Sequence, residues 1–297
     1  MDISKSSSSN CVVETFPEMA QSVRDYLYKR KYSVVDFIRR GSTSMVYKLL
    51  DQKGERFLAV KVMDHSKLSE FFRTRMLQNE MSIIRAIHHP NIVCVENTFE
   101  VPGYSVIVTE YADEGDLMCH VEMVSQPNVP LARRWFVQIA RALSYLHKQG
   151  IAHRDIKVDN ILLCSGTAKL SDFGYALRSV DANGEVVFTT DMCGTLEYQA
   201  PEALVNQPYN PFISDCFSMG VLLYVLVTHL FPFGSFGDTP SMTDRRDMLA
   251  AILAKKWPKG GAIDQDSRLY CLLCQLLNPN TNERITINQA LAHPWTF

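Results

Sequence analysis

The sequence predicts an α+β protein in two lobes, a small β-rich one followed by a larger, mainly helical one. Three observations carry that prediction. Short runs rich in β-branched and aromatic residues, bounded by turn residues, fill the stretch from Tyr32 to Tyr111. From about Gly115 onward, apolar residues recur at three- and four-residue spacing. The chain has 297 residues, 46% of them hydrophobic, enough to bury a large core in one two-lobed domain or in two small ones.

Residues 1–30 form a polar, serine-rich lead with a short helical pattern at its end. Its basic run, "RDYLYKRK" from Arg24 to Lys31, reads as a solvated helix face. The first lobe is expected over residues 31–112. "YSVVDFI" (32–38), "MVYKLL" (45–50), "FLAVKVM" (57–63) and "YSVIVTEY" (104–111) read as its strands, interrupted by a helix from about Lys67 to Ile87. A hinge near Glu110 to Gly115 leads into the second lobe, residues 113–297. There "LARRWFVQIARALSYLHKQG" puts Trp135, Phe136, Ile139, Leu143 and Leu146 on one helix face and stops at Gly150. "FSMGVLLYVLVTHLFPF", from Phe217 to Phe233, is shorter than the roughly 20 apolar residues of a membrane span. It contains His229 and reads as a buried helix.

Composition narrows the function classes. A formal net charge of −2 and a pI near 6.4 argue against nucleic acid or an anionic membrane as partner. The start, "MDISKSSSSN", lacks the pattern of a secretory signal, and eight scattered cysteines suit a reduced compartment. A soluble, cytoplasmic, monomeric protein is expected. Cys271 and Cys274 form a lone CxxC in "LYCLLCQLL"; without a second pair or nearby histidines, core packing on an amphipathic helix is preferred over a metal site.

Four words are more specific: "AVKV" (59–62), "HRDIKVDN" (153–160), "SDFG" (171–174) and "APE" (200–202). Each alone is weak. In this order and at these separations they resemble the signature of the eukaryotic-type protein kinases, over nearly everything after the lead. The resemblance implies the bilobal kinase fold, ATP and Mg²⁺ as cofactors, and protein substrates. Phosphoryl transfer depends on positioning and charge neutralisation, which suits the residues it selects. Lys61 would pair with the α- and β-phosphates and Glu80 would hold Lys61. Asp155 would accept or orient the proton of the substrate hydroxyl, and Lys157 would neutralise the transferring phosphate. Asn160 and Asp172 supply the hard oxygens that Mg²⁺ prefers beside phosphate. Val46, Ala59 and Leu162 would sandwich adenine, backbone groups at Glu110 and Ala112 would read it, and Thr109 would guard the back of the pocket. Glu202 should pair with Arg284, Asp215 should brace the catalytic loop, and Ile84, His153 and Phe173 should stack in an apolar column. Phe217 stands where the family usually has tryptophan.

One stretch departs from the family. Aligned on Val46, the phosphate-cradling loop has Arg39, Gly41 and Ser44 at its three glycine positions, so only the middle glycine is kept. Glycine there lets backbone amides approach phosphate. ATP binding and turnover are still expected, with weaker nucleotide affinity left open by Arg39. That arginine also motivates the alternative, a pseudokinase acting as scaffold or allosteric partner; the complete catalytic set opposes it. An unrelated nucleotide-binding module would need a G-x-x-x-x-G-K-[ST] loop, which the chain lacks.

"SEFFRTRMLQNEMSII", "GIAHRDIKVDNILL" and "KLSDFGYALRSVDANGEVVF" resemble the testis-specific serine/threonine kinases, a branch near the calcium/calmodulin-dependent and energy-sensing kinases. The resemblance implies a role in sperm development, and Ser44 at the third loop position is usual in that branch. Lys157 and Thr195 point to serine or threonine acceptors. Asp116 and Asp159 stand where related kinases read upstream basic residues, although Val225 replaces another such acid; a mild preference for upstream arginine is expected. The chain ends at "LAHPWTF", which argues against direct calmodulin control. In the activation segment, Asp191 occupies the position of the threonine that the branch phosphorylates, opposite Arg154. It is expected to supply part of that charge, with Thr190 as a neighbouring phosphorylation candidate.

Overall fold

The computed structural model describes residues 19–41, 43–70, 77–205, 207–236 and 240–297. The start of the lead, Ser42 of the glycine loop and part of the "SEFFRTRM" stretch lie outside the described residues. The chain falls into two compact units. One runs up to Leu68 and includes Glu96–Thr109; the other joins Ser69–Val95 to Glu110–Phe297.

The first unit is a five-stranded sheet. Its strands are β1 (Tyr32–Arg40), β2 (Ser44–Asp51), β3 (Arg56–Asp64), β4 (Val95–Val101) and β5 (Tyr104–Glu110), in the order β1-β2-β3-β5-β4. Four of these are the expected runs. The fifth, β4, reads "VENTFEV" and carries a weak strand pattern, because Glu and Asn are poor strand formers and only Phe99 is buried. The helix expected at the end of the lead is α1 (Gln21–Lys29). Its basic residues Arg24 and Lys29 face solvent, as read. Its other face joins the core: Met19, Val23 and Leu27 pack in one cluster with Tyr47, Leu49, Leu58, Val60, Val62, Phe99, Val106 and Val108. Tyr26 stacks on Phe99 with ring centroids 3.8 Å apart.

Strand alternation then sorts β2 and β3 into two faces. Tyr47, Leu49, Leu58, Val60 and Val62 point into the core. Across the antiparallel ladder Ser44 pairs with Met63, Val46 with Lys61 and Lys48 with Ala59, so all six share the opposite face.

The second unit is mainly helical. Its helices are α2 (Gln78–Ala86), α3 (Leu117–Met123), α4 (Val129–Lys148), α5 (Pro211–Thr228), α6 (Met242–Leu253), α7 (Ala262–Gln265), α8 (Ser267–Leu276) and α9 (Ile287–Leu291). Four short strands accompany them: β6 (Ile151–Ala152), β7 (Ile161–Cys164), β8 (Thr167–Leu170) and β9 (Leu177–Arg178). In α4 the five apolar residues read from the sequence are all buried. Gly150 follows with φ +70°, and a Cβ there would collide with the Val180 side chain.

The apolar helix α5 differs in its bounds from the expected 217–233. It starts at Pro211, where the Asn210 side chain accepts from Phe212 N at 3.0 Å. It ends at Thr228, because His229 takes a left-handed φ of 58°. By length and composition α5 is apolar enough to cross a membrane, yet most of it is buried inside this unit. Its close approach to α8 requires a missing side chain: a Cβ on Gly220 would lie 2.8 Å from Leu276 Cβ.

One expectation is corrected in α8. Leu269, Leu272, Leu273 and Leu276 form its buried face, whereas Cys271 is exposed and Cys274 half-buried. The CxxC therefore lies off the leucine stripe rather than in the core. The seven cysteines among the described residues are free, and no three His, Cys, Asp or Glu side chains there converge as metal ligands.

Candidate active site

The residues from His153 to Asn160 follow β6 and are held from below by α5. Asp215, 1% exposed, accepts from His153 N (2.8 Å) and Arg154 N (2.8 Å), and its Oδ2 lies 3.0 Å from His147 Nε2. Arg154 sits at φ 66°, a conformation an L-residue holds only when its surroundings impose it. The bracing role expected of Asp215 is thus present in its hydrogen bonds.

That frame presents Asp155. Its Oδ1 accepts from Thr195 N (3.0 Å) and Thr195 Oγ1 (3.1 Å), and its Oδ2 accepts from Asn160 Nδ2 (2.8 Å). Lys157 Nζ lies 3.4 Å from the same Oδ2 and donates to Thr195 Oγ1 at 2.8 Å. The carboxylate is pinned at both oxygens beside a cation. That is a geometry for accepting a hydroxyl proton while positive charge stands ready for a phosphate.

Asn160 also spends its amide N–H groups on the Asp155 main-chain carbonyl, at 2.8 Å. With the nitrogen turned to Asp155, the amide oxygen is the end left for a cation. Ser171, ahead of Asp172, is tied in as well. Ser171 N and Oγ donate to Asn160 O at 2.8 and 2.9 Å, placing Asp172 next to this pair. Asp172 itself is exposed, at a left-handed φ of 57°. An amide oxygen and a carboxylate are the hard donors that Mg²⁺ accepts when phosphate and water fill its remaining positions. The donor set therefore fits the metal the family uses.

Around this centre the expected apolar column is partly visible. The His153 and Phe173 rings meet edge-to-face at 5.1 Å, and Ile84 is buried on α2. Glu80, also on α2, is 2% exposed. A Cβ on Gly174 would come 3.3 Å from Asp172 Oδ1 and 3.7 Å from Glu80 Oε2, so glycine leaves room between two carboxylates. Asn79 donates to Ala176 O and ties α2 to the same segment.

The remaining nucleotide candidates are distributed by unit. In the first, Ser44, Val46, Ala59 and Lys61 share the sheet face opposite the core. Arg39 pairs with Val46 after a bulge between Phe37 and Arg39, and so belongs to that face too. Gly41 N donates to Ser44 O at 2.8 Å and closes the turn. In the second unit, Leu162 and Ala112 are half-buried. The Glu110 carboxylate is occupied by Lys169 Nζ (2.7 Å) and Cys94 N (2.7 Å), which leaves any adenine contact to its main chain.

The activation segment is anchored from the catalytic loop. The Arg154 side chain, 3% exposed, donates through Nε to Tyr175 O (2.7 Å) and through Nη1 to Asp191 Oδ2 (3.0 Å). Asp191 thus meets the arginine, as the sequence suggested. Tyr209, which the sequence did not single out, donates its hydroxyl to Asp191 O at 2.8 Å, and its main chain pairs with Thr189. Burial pushes the Cys193 thiol up to about 11, so it stays protonated at neutral pH. Further on, Glu202 and the buried Arg284 form the expected pair, with Nη2–Oε2 at 2.9 Å. The Arg284 guanidinium also lies over the Phe217 ring at 5.0 Å, so the smaller aromatic still packs.

A carboxylate pinned at both oxygens beside a cation, followed by hard oxygen donors, is the arrangement expected of a phosphotransferase of the protein kinase class. The match to the protein kinase domain family spans residues 32–296, and the chain belongs to that family as a serine/threonine protein kinase. It is similar to testis-specific serine/threonine-protein kinase 2 of Mus musculus, 30% identical over 91% of this chain and 74% of the relative. It is similar as well to testis-specific serine/threonine-protein kinase 4 of Homo sapiens, 31% identical over 90% of this chain and 82% of the relative. CBL-interacting protein kinase 31 of Oryza sativa subsp. japonica is 30% identical over 89% of this chain and 57% of its own length.

Proposed function

We propose that this chain is an active enzyme that transfers the γ-phosphate of ATP, with Mg²⁺, to serine and threonine hydroxyls of proteins. The observation that carries the reading is the Asp155 carboxylate, held at both oxygens by Thr195 and Asn160 beside Lys157. In this reading Asp155 orients the acceptor hydroxyl and takes its proton, and Lys157 offsets charge on the transferring group. Asn160 and Asp172 hold Mg²⁺, which neutralises phosphate charge when bound. Lys61 and Glu80 serve the phosphates. Arg39, Gly41 and Ser44 cover them, and Val46, Ala59, Leu162, Glu110 and Ala112 hold the adenine.

A mild preference for arginine upstream of the acceptor rests on Asp159 and Asp116. The Asp116 carboxylate already caps α3 by accepting from Cys119 N at 2.9 Å, so one of its oxygens is committed. A monomeric, cytoplasmic enzyme of sperm development is proposed from composition and from the names of two relatives.

The test is transfer of ³²P from labelled Mg-ATP to generic protein substrates by the purified full chain, with a thermal-shift titration of ATP beside it. Transfer that disappears in Asp155→Asn supports the enzyme. A thermal shift with ATP but no transfer to any substrate supports the pseudokinase reading, which Arg39 alone favours.

A further inference from the structure

Gln199 lies between the "GTLEY" and "APE" words and is 7% exposed. Its side-chain nitrogen donates to two successive main-chain carbonyls, Cys193 O and Gly194 O, both at 2.9 Å. Its side-chain oxygen faces Arg245 Nη1 of α6 at 3.4 Å. An amide is the one side-chain group of this length that can donate twice while accepting from a cation.

The carbonyls that Gln199 holds belong to a turn pressed against the catalytic loop. Gly194 has φ +86°, and a Cβ on it would lie 2.5 Å from Arg154 O and 3.3 Å from Asp155 Oδ1. On that side the turn has no room to move inward. On the other side Gln199 prevents it from moving away. The next residue is Thr195, whose N and Oγ1 are the two donors on Asp155 Oδ1. Contacts therefore run without a gap from Arg245 through Gln199 and the 193–195 turn to the proton acceptor.

We infer that Gln199 is a positioning residue for phosphoryl transfer: it clamps the turn that supplies Thr195 to Asp155, and so sets the aim of the Asp155 carboxylate without touching ATP or substrate. The inference rests on the kinase reading above. It adds a residue that neither the sequence motifs nor the recognised chemistry required.

Two substitutions separate this role from simple packing. Gln199→Leu keeps the volume and removes both donors. Gln199→Glu keeps the shape but turns a carboxylate on two carbonyl oxygens, and when protonated it regains one donor. The charged and titratable groups near this position are Arg245 from α6, Arg154 and Asp155 from the catalytic loop, and Cys193, Tyr198 and Tyr209 from the segment that follows. Burial raises the Cys193 thiol and both tyrosines above their ordinary values, so these stay protonated through neutral pH. Arg154, Asp155 and Arg245 are common to wild type and variants.

The experiment is steady-state kinetics of the full chain with Mg-ATP and a phosphate-accepting peptide. Both variants are expected to lose about tenfold or more in kcat near pH 8 with KM for ATP within about twofold, the pattern of a transition-state effect. The kcat ratio of Gln199→Glu to wild type is expected to rise by about threefold or more between about pH 8 and about pH 6, while the Gln199→Leu ratio stays flat. Wild-type kcat in Gln199→Leu, or a Gln199→Glu ratio that ignores pH, overturns the inference. If neither variant folds, Arg245→Ala takes their place, with a drop of about two- to threefold in kcat at unchanged KM expected; wild-type kcat there overturns it equally. Absence of transfer by the wild type itself overturns the kinase reading and this inference with it, whereas wild-type transfer with undiminished variants overturns this inference alone.

Discussion

The catalytic loop and the turn between β1 and β2 are both assigned to nucleotide chemistry, and they are built in opposite ways. In the loop, His153, Arg154, Asp155 and Asn160 are each 9% exposed or less. Asp215 braces the main chain of His153 and Arg154, and Ser171, Tyr175 and Thr195 hold the side chains of His153, Arg154 and Asp155. In the turn, Arg39, Arg40 and Gly41 are exposed, and Gly41 N to Ser44 O closes it at 2.8 Å. The loop's geometry is fixed several times over by neighbours that are themselves buried. Among the described residues, the turn is tied by Gly41 N to Ser44 O and by Asp64 N to Thr43 O at 3.2 Å. This is why the departure from the family pattern, Arg39, falls where it does. An exposed turn tolerates a changed side chain more readily than a buried carboxylate held at both oxygens.

The sharpest way to break the comparison is at Asp155. Asp155→Asn keeps the side-chain shape and removes the proton acceptor, although its amide N–H₂ must face one of the donors that the carboxylate now satisfies. Phosphate transfer should fall by about 10²- to 10⁴-fold while the protein still unfolds in one cooperative thermal transition. Residual transfer close to wild type would mean that the loop's over-determination serves stability and not chemistry. Next in size is the brace. Asp215→Ala leaves the buried N–H groups of His153 and Arg154 without acceptors, at about 1–3 kcal/mol each. Urea unfolding should show a loss of several kcal/mol, and transfer should fall with it; a neutral result would show that the loop holds itself.

Smaller again is the effect at the activation segment. Asp191 is half exposed, and its pair with Arg154 joins an open carboxylate to a buried guanidinium. Asp191→Ala should lower the basal rate of phosphatase-treated enzyme by about three- to tenfold, with a stability change under about 1 kcal/mol. Thr190→Ala should leave that basal rate intact. If phosphatase treatment alone silences the wild type, the built-in acid is not sufficient. The smallest effect belongs to the turn. Arg39→Gly should change KM for ATP by about two- to fivefold in steady-state assays, with kcat unaltered. A collapse of kcat at constant KM would place the turn among the catalytic parts and erase the contrast.

The same contrast explains what could be read from the sequence. Residues whose chemistry is scarce stood out: Lys61, Asp155, Asn160 and Asp172 in their words, and Glu202 with Arg284 far apart in the chain. So did long periodic elements such as α4. What stayed hidden were residues whose role arises only from folding. Gln199 and Tyr209 are ordinary side chains until the segment turns back on itself; then Gln199 becomes the donor to two main-chain carbonyls and Tyr209 to one. The strand β4 was masked by polar residues that face outward. Cys271 was assigned to the core by its type, although the leucines around it define a stripe that excludes it.

The helix α1 has a consequence for where this protein begins to be a stable body. Similarity to the family starts at residue 32, yet Met19, Val23 and Leu27, each 2% exposed or less, complete the hydrophobic cluster beneath the sheet. Burying side chains of this size contributes about 1.5–3 kcal/mol apiece, against total stabilities of about 5–15 kcal/mol for a domain. A protease should therefore not trim the folded chain as far as the edge of the homologous region at residue 32. A polypeptide cut to start at Tyr32 would expose Tyr47, Val60 and Phe99 to water and tend to aggregate, however complete its catalytic residues.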